Sequence, residues 1–191
     1  MWKAVLDTET LSLRTSAVVL SVGLTVFDDA KVDSFEDLVN AGLNIFIDQN
    51  VQVSAGRHVD PKTVHWWSTQ GKEASTVLTA KGMLPKIVVF RINQYLAAKG
   101  LNKKHLKWYC RGPQFDIAKL DDLFFQFNLE SPWHYRKPRC SRTWLDEHGI
   151  EDDVKLERPE GMIPHDALHD SAFEAYMMQR VQNGVHIPYQ K

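Results

Sequence analysis

The run WKAVLD at residues 2–7, followed at once by Thr8, Glu9 and Thr10, decides how the rest of the chain is read. A short run rich in Val, Leu and an aromatic residue predicts a strand. Asp7 and Glu9 sit at its end, two residues apart, so in extended chain both side chains project to the same side. Outward from there, AVVLSVGLTVF at 17–27 predicts a second strand, paired with the first through the connection Leu11 to Ser16. LNIFI at 43–47 predicts a third, before an irregular stretch through Asp60. Asp60 as N-cap ahead of Pro61 starts a helix that passes through Trp66 and Trp67 to about Gln70. A second helix runs from about Pro85 to Lys99, its apolar positions roughly on one face and Gly100 at its end. His105 to Cys110 predicts a fourth strand, broken by Arg111-Gly112-Pro113, and Phe115 to Phe127 a helix. A short edge strand within 131–142, a short helix from Thr143 to His148, a loop from Glu151 to Pro164 and a closing helix from Ala167 to Gln182 complete the chain. This alternation implies an α/β fold with a mixed central sheet of about five strands flanked by helices, forming one domain over residues 1–191.

The bulk composition narrows the function. A chain of 191 residues with 43% hydrophobic content can fill a core, and a net charge of -1 gives no electrostatic footprint for coating nucleic acid. Any acidic partner must therefore be gripped locally. Cys110 and Cys140 are too few for a disulfide framework, which predicts a reducing compartment. Without a signal-peptide pattern or an apolar run long enough to span a bilayer, the expectation is a cytoplasmic protein with no membrane contact.

The chemistry is carried by acids. Asp116 follows a strand and a Gly-Pro turn at the start of a helix, where loops often carry function and where an Asp also suits the helix end. His165 stands at the mouth of the closing helix and Asp170 inside it. Singly, each of these acids fits an ordinary capping or surface role. The rival reading of His165-Asp166-Ala167-Leu168-His169 as an H-E-x-x-H zinc motif uses an Asp where that motif has Glu, and leaves Asp7, Glu9 and Asp116 unexplained.

Taken in order, Asp7-Thr8-Glu9-Thr10, then Phe115-Asp116, then His165 with Ala167 and Asp170 resemble the motifs of the DnaQ-like, or DEDDh, 3′-5′ exonucleases. More narrowly, the chain is similar to phage exonucleases of the DexA type and the exonuclease-VIII-like and Rv2179c-like group. The supports are the Trp66-Trp67 helix with Gln70, the string Trp108-Tyr109-Cys110-Arg111-Gly112 ahead of Phe115-Asp116, and the repeated His-Asp pairs of the last motif. The resemblance departs where many members carry an Asn and this chain has Gly112.

What the resemblance implies is concrete. The fold would be ribonuclease-H-like, and the reaction hydrolysis of phosphodiester bonds from a 3′ end, with single-stranded DNA favoured over RNA as partner. Two divalent cations, Mg²⁺ or Mn²⁺, would be the cofactors. Hard cations prefer oxygen ligands, and a cluster of carboxylates without Cys suits them. Asp7 would bridge both ions, Glu9 and Asp170 would complete one site, and Asp116 would hold the other largely through water. His165 would act as general base. The backbone around Glu9, Thr10 and Leu11 would meet the last sugar, with Leu11 packed on its base.

Other residues leave two readings open. Trp66 and Trp67 point about 100° apart on a helix, so both cannot face one core stripe, and Trp67 is carried as a candidate for stacking on a base. Arg111 is placed to meet phosphate, and Phe115 to pack under the site or touch substrate. Lys103, Lys104 and Lys107, and later Lys137, Arg139 and Arg142, suit either a phosphate track or a solvated face.

Overall fold

The computed structural model describes residues 1–104, 106–151 and 157–187. Along the chain come β1 (Trp2–Thr10), β2 (Val19–Asp28), α1 (Phe35–Ala41), β3 (Leu43–Phe46), α2 (Gln49–Ser54), α3 (Pro61–Ser68) and α4 (Lys72–Ser75), the last running into a 3-10 turn at Thr76–Leu78. They are followed by α5 (Pro85–Ala98), β4 (Lys107–Cys110), α6 (Asp116–Gln126), β5 (Pro138–Cys140), α7 (Ser141–Asp146) and α8 (Ala167–Gln182). The five strands form one mixed sheet in the order β3-β2-β1-β4-β5. β2 pairs antiparallel with β1 and β3, whereas β4 runs parallel to β1 and β5. The strand bearing the first two acids is therefore central.

Alternation along β1 divides the core. Ala4 and Leu6 pack with Val88, Ile92 and Leu96 of α5 and with Leu120, Leu123 and Phe124 of α6. Val5, on the opposite face, packs with Phe35 and Leu38 of α1 and with Ala172, Ala175 and Met178 of α8. The odd-numbered side chains of β1 thus face α8, and Asp7 and Glu9 share that parity. Gly23 of β2 pairs with Asp7 in register. A Cβ there would come within 1.9 Å of the Ala167 carbonyl oxygen, so glycine lets the start of α8 lie directly on the sheet beside Asp7. The register shifts between Glu9 and Thr10, a bulge that turns the strand end at the site.

The expectations need several corrections. β1 does not stop at Asp7 but continues to Thr10, because Thr8 to Glu9 stay paired with Val22 to Ser21 and put the acids within the strand. The stretch after β3 expected to be irregular holds α2, and α1, between β2 and β3, was not foreseen. Ser34 caps α1 by accepting from the Asp37 N–H, and Asp48 caps α2 by accepting from the Asn50 and Val51 N–H groups. Helix α4 was likewise not foreseen. The helix after Asp60 ends at Ser68, with Asp60 capping as expected, and the fourth strand begins at Lys107, His105 lying outside the described residues. The short helix after β5 starts at Ser141 and ends at Asp146. The loop expected at 151–164 is described only at 151 and from 157 onward, where it has no regular structure. No helix among the described residues is long and apolar enough to cross a membrane.

Candidate active site

Three elements converge at the end of β1. The strand presents Asp7 and Glu9, the start of α6 presents Asp116, and the entry to α8 presents His165 and Asp170. Ligand-capable atoms of Glu9, His165 and Asp170 all lie within 4.8 Å of one another, the group among the described residues able to hold a metal ion. Asp7 and Asp116 flank this group rather than belong to it. Asp116 is 3% exposed, and one of its oxygens accepts from both the Thr8 hydroxyl at 2.7 Å and the Thr8 N–H at 3.1 Å. The residue between the two strand acids thus fixes the third.

The entry to α8 is built by hydrogen bonds. Asp166 is the N-cap, accepting from the Leu168 and His169 N–H groups, and the Asn44 amide donates to it at 3.3 Å. The chain reaches that cap through His165 in left-handed conformation, φ 61°, a geometry that costs an ordinary side chain. The His165 N–H donates to an Asp170 oxygen at 2.9 Å, which ties the imidazole-bearing residue to the acid one turn on. His169 turns elsewhere. Its Nδ1 accepts from the Ile163 N–H, and its ring packs edge-on to Phe35, so the two histidines of the zinc-like spacing do not converge.

Electrostatically the cluster is under-compensated. Burial, then the charges of Asp116, Glu9, Asp170 and Glu174, hold the Asp7 carboxyl well above the usual range. Burial and the neighbouring Asp170 push Glu9 up to about 9. Burial raises Asp116 to about 6, opposed by the Thr8 hydrogen bonds and Lys119, and raises Asp170 to about 6, opposed by the His165 N–H. His165 moves the other way: burial, aided by Arg158, lowers its pKa and keeps the ring neutral near pH 7. Buried carboxylates that repel one another are a ready site for multivalent cations.

The residues named as substrate contacts are distributed unevenly. Trp67, expected to stack on a base, is 0% exposed and packs with Leu11, Val18, Leu20 and Val77, its indole N–H donating to the Thr10 carbonyl. The helix faces the core with that ring, so the exposed one is Trp66, 40% accessible and edge-on to His165 at 4.9 Å. Leu11, at 6% exposure, is likewise a core side chain with no face to offer a base. Thr10 is buried and donates its hydroxyl to the Ser12 carbonyl. Arg111 is drawn into an ion pair with Glu174 at 2.5 Å, and Phe115 carries the Lys119 ammonium over its ring face at 2.9 Å. A cavity of about 540 Å³ opens beside His165, lined by Gln70 to Ala74, Arg158, Ile163 and Pro164.

Residues 3–182 match the family described as the 3′-5′ exoribonuclease Rv2179c-like domain. The chain belongs to this family. Over 94% of its length it is also 25% identical to an exodeoxyribonuclease of enterobacteria phage T4, covering 88% of that protein. The Rv2179c-like domain shares its fold with solved DEDDh exonucleases. The nuclease domain of 3′hExo, a DEDDh family member bound to rAMP, aligns over the whole chain and 96% of its own length with TM-score 0.54 and 13% identity. Pop2p of S. pombe, in a Mg²⁺- and Mn²⁺-bound form, aligns over 93% of the chain and 82% of its own with TM-score 0.59 and 14% identity. E. coli exonuclease I in complex with an oligonucleotide gives TM-score 0.57 at 12% identity over 96% of the chain, which spans 42% of that protein.

Two residues beside this site, Lys119 and Glu174, were not singled out from the sequence, which also left open which of Trp66 and Trp67 is exposed. For Glu174 a signal existed, since it lies four residues beyond Asp170 and hence on the same helix face. For the choice of Trp66 over Trp67 none did, because adjacent aromatics carry no label of which one faces the sheet.

Proposed function

We propose that this Rv2179c-like chain is a 3′-5′ exonuclease that releases nucleoside monophosphates from single-stranded DNA, using two divalent cations, Mg²⁺ or Mn²⁺. Asp7, Glu9, Asp116 and Asp170 would hold the ions, and His165 would be the general base. The observation that carries this reading is the gathering of Glu9, His165 and Asp170 within 4.8 Å, with Asp7 and Asp116 at its edge. The donor set fits hard cations, being oxygen-rich, thiol-free and short of positive charge. When bound, the ions supply the ionised water and the local positive charge that phosphodiester hydrolysis requires.

The chain's own residues do the rest. His165, neutral near pH 7, takes the proton of the attacking water at a ring nitrogen, and its backbone bond to Asp170 sets where that ring stands. Trp67 acts indirectly, holding the Thr10 carbonyl and with it the backbone of Glu9 to Leu11 against which the terminal sugar rests. The cavity beside His165 receives the terminal nucleotide, with Lys72 and Arg158 at its wall, and the open face of Trp66 stacks on a base.

Support for DNA comes from the similarity to the T4 exodeoxyribonuclease along nearly the full chain. A second reading, trimming of RNA, is favoured by the description of the family itself. Incubating 3′- and 5′-labelled single-stranded DNA and RNA of one sequence with Mg²⁺ or Mn²⁺, beside the Asp7→Ala variant, separates the two. Stepwise shortening from the 3′ end of DNA, lost in the variant, is the expected result. Internal cleavage, or equal activity in the variant, overturns the mechanism, and degradation of RNA alone selects the second reading.

A further inference from the structure

Glu174 lies on α8 one turn beyond Asp170 and therefore on the same face of the helix. Its charge bears on both Asp7 and Asp170, whereas Glu9, at the other side of the cluster, feels Asp166 instead. Arg111 reaches it from just past β4. Tyr109 pairs with Val5, so two residues further along the parallel strands Arg111 comes alongside Asp7. Arg111 donates to one Glu174 oxygen, Oε1, at 2.5 Å. The other, Oε2, is buried without a hydrogen-bond partner in a side chain only 10% accessible. A buried carboxylate oxygen lacking a donor is costly, and the water shell of a bound cation would supply one.

We propose that Glu174 is a positioning residue for one of the two cations: its free Oε2 accepts a hydrogen bond from the hydration shell of the ion held on the Asp7 side, away from Glu9. The Arg111 ion pair orients the carboxylate and keeps the guanidinium from capturing Asp7. The sites on the two sides of Asp7 thereby differ in kind, one lined directly by Glu9, His165 and Asp170, the other supported at second rank by Glu174. This rests on the exonuclease reading above.

The test is calorimetric titration of Mn²⁺ into the whole protein without nucleic acid, comparing wild type with Glu174→Gln, together with the metal-free melting temperature and the KM for an oligonucleotide. One of the two association constants should fall roughly 10- to 100-fold, as loss of an outer-shell partner does. The other constant, the folding and the KM should stay unchanged. Equal binding by wild type and variant, or an equal loss at both sites with a lowered metal-free melting temperature, overturns the proposal while leaving the exonuclease reading intact. Wild-type protein that binds no ion overturns both. Should Glu174→Gln fail to fold, replacing Arg111 and Glu174 together by Met removes the pair in a form that cores commonly tolerate. That double variant should show the same selective loss, and two undisturbed constants in it would equally refute the assignment.

Discussion

Gly23 and Ala167 are in backbone contact: a Cβ on the first would stand 1.9 Å from the carbonyl oxygen of the second. The sheet and α8 therefore meet with no side chain between them, directly beside Asp7. Gly23→Ala should push the start of α8 away, costing about 1–3 kcal/mol or more as overpacking does. It should also weaken metal-induced stabilisation, since Asp170 and His165 move with that helix end. Chemical denaturation with and without Mn²⁺ measures both, and a variant with wild-type stability would contradict the contact.

Without metal, the folded chain holds protons on Asp116 and Asp170 up to about pH 6 and on Glu9 up to about 9, while the unfolded chain releases them near their ordinary values of 3.8 and 4.5. The folded state thus binds more protons across that window, and stability falls as pH rises through it. Chelated protein should melt lower near pH 8 than near pH 5, and divalent ions should restore it at the higher pH. Each kcal/mol corresponds to about 2–4 °C in a chain of this size. Scanning calorimetry in chelator decides, and a profile that climbs toward pH 8 would contradict the repulsion.

Glu9→Gln nearly keeps the shape of this cluster while replacing a carboxyl that the metal-free fold must hold protonated at pH 7 to 8 by a side chain that is neutral in the unfolded chain too. Activity should be lost, yet the metal-free protein should melt higher than wild type at pH 7 to 8, the usual conflict between function and stability. Nuclease assay and thermal melting on one preparation test it, and a lowered melting temperature would speak against it.

The adjacent tryptophans should separate cleanly. Trp67→Ala opens the core and frees the Thr10 carbonyl, so a loss of about 3–5 kcal/mol in stability is expected. Trp66→Ala should leave the fold intact and raise KM for single strands by an amount equivalent to about 1–3 kcal/mol. Melting curves and steady-state kinetics distinguish them, and unchanged KM in Trp66→Ala would remove its ring from the substrate path.

Much of this was legible in the residues because the signals were local and strong. Pro61 after Asp60 located one helix start, and the closing helix, Ala167 to Gln182, was bounded as observed. The acids were legible through their order along the chain, which survives where overall identity is low. Short elements escaped: the caps Ser34 and Asp48 were present, but α1 and α2 are only 7 and 6 residues long, too brief to show a period. β1 was cut short because an acid in mid-strand reads as its end. Burial was the least visible property, since Leu11 and Trp67 are decided by the α3 packing that only the tertiary fold creates.

His165, at φ 61°, serves two masters. A residue comfortable in that backbone, glycine or asparagine, could not serve as the proposed general base, and the histidine sits in a conformation costing roughly 1–2 kcal/mol. His165→Asn should for that reason be an inert yet sturdier form of the protein, in which an uncut strand could be trapped and crystallised.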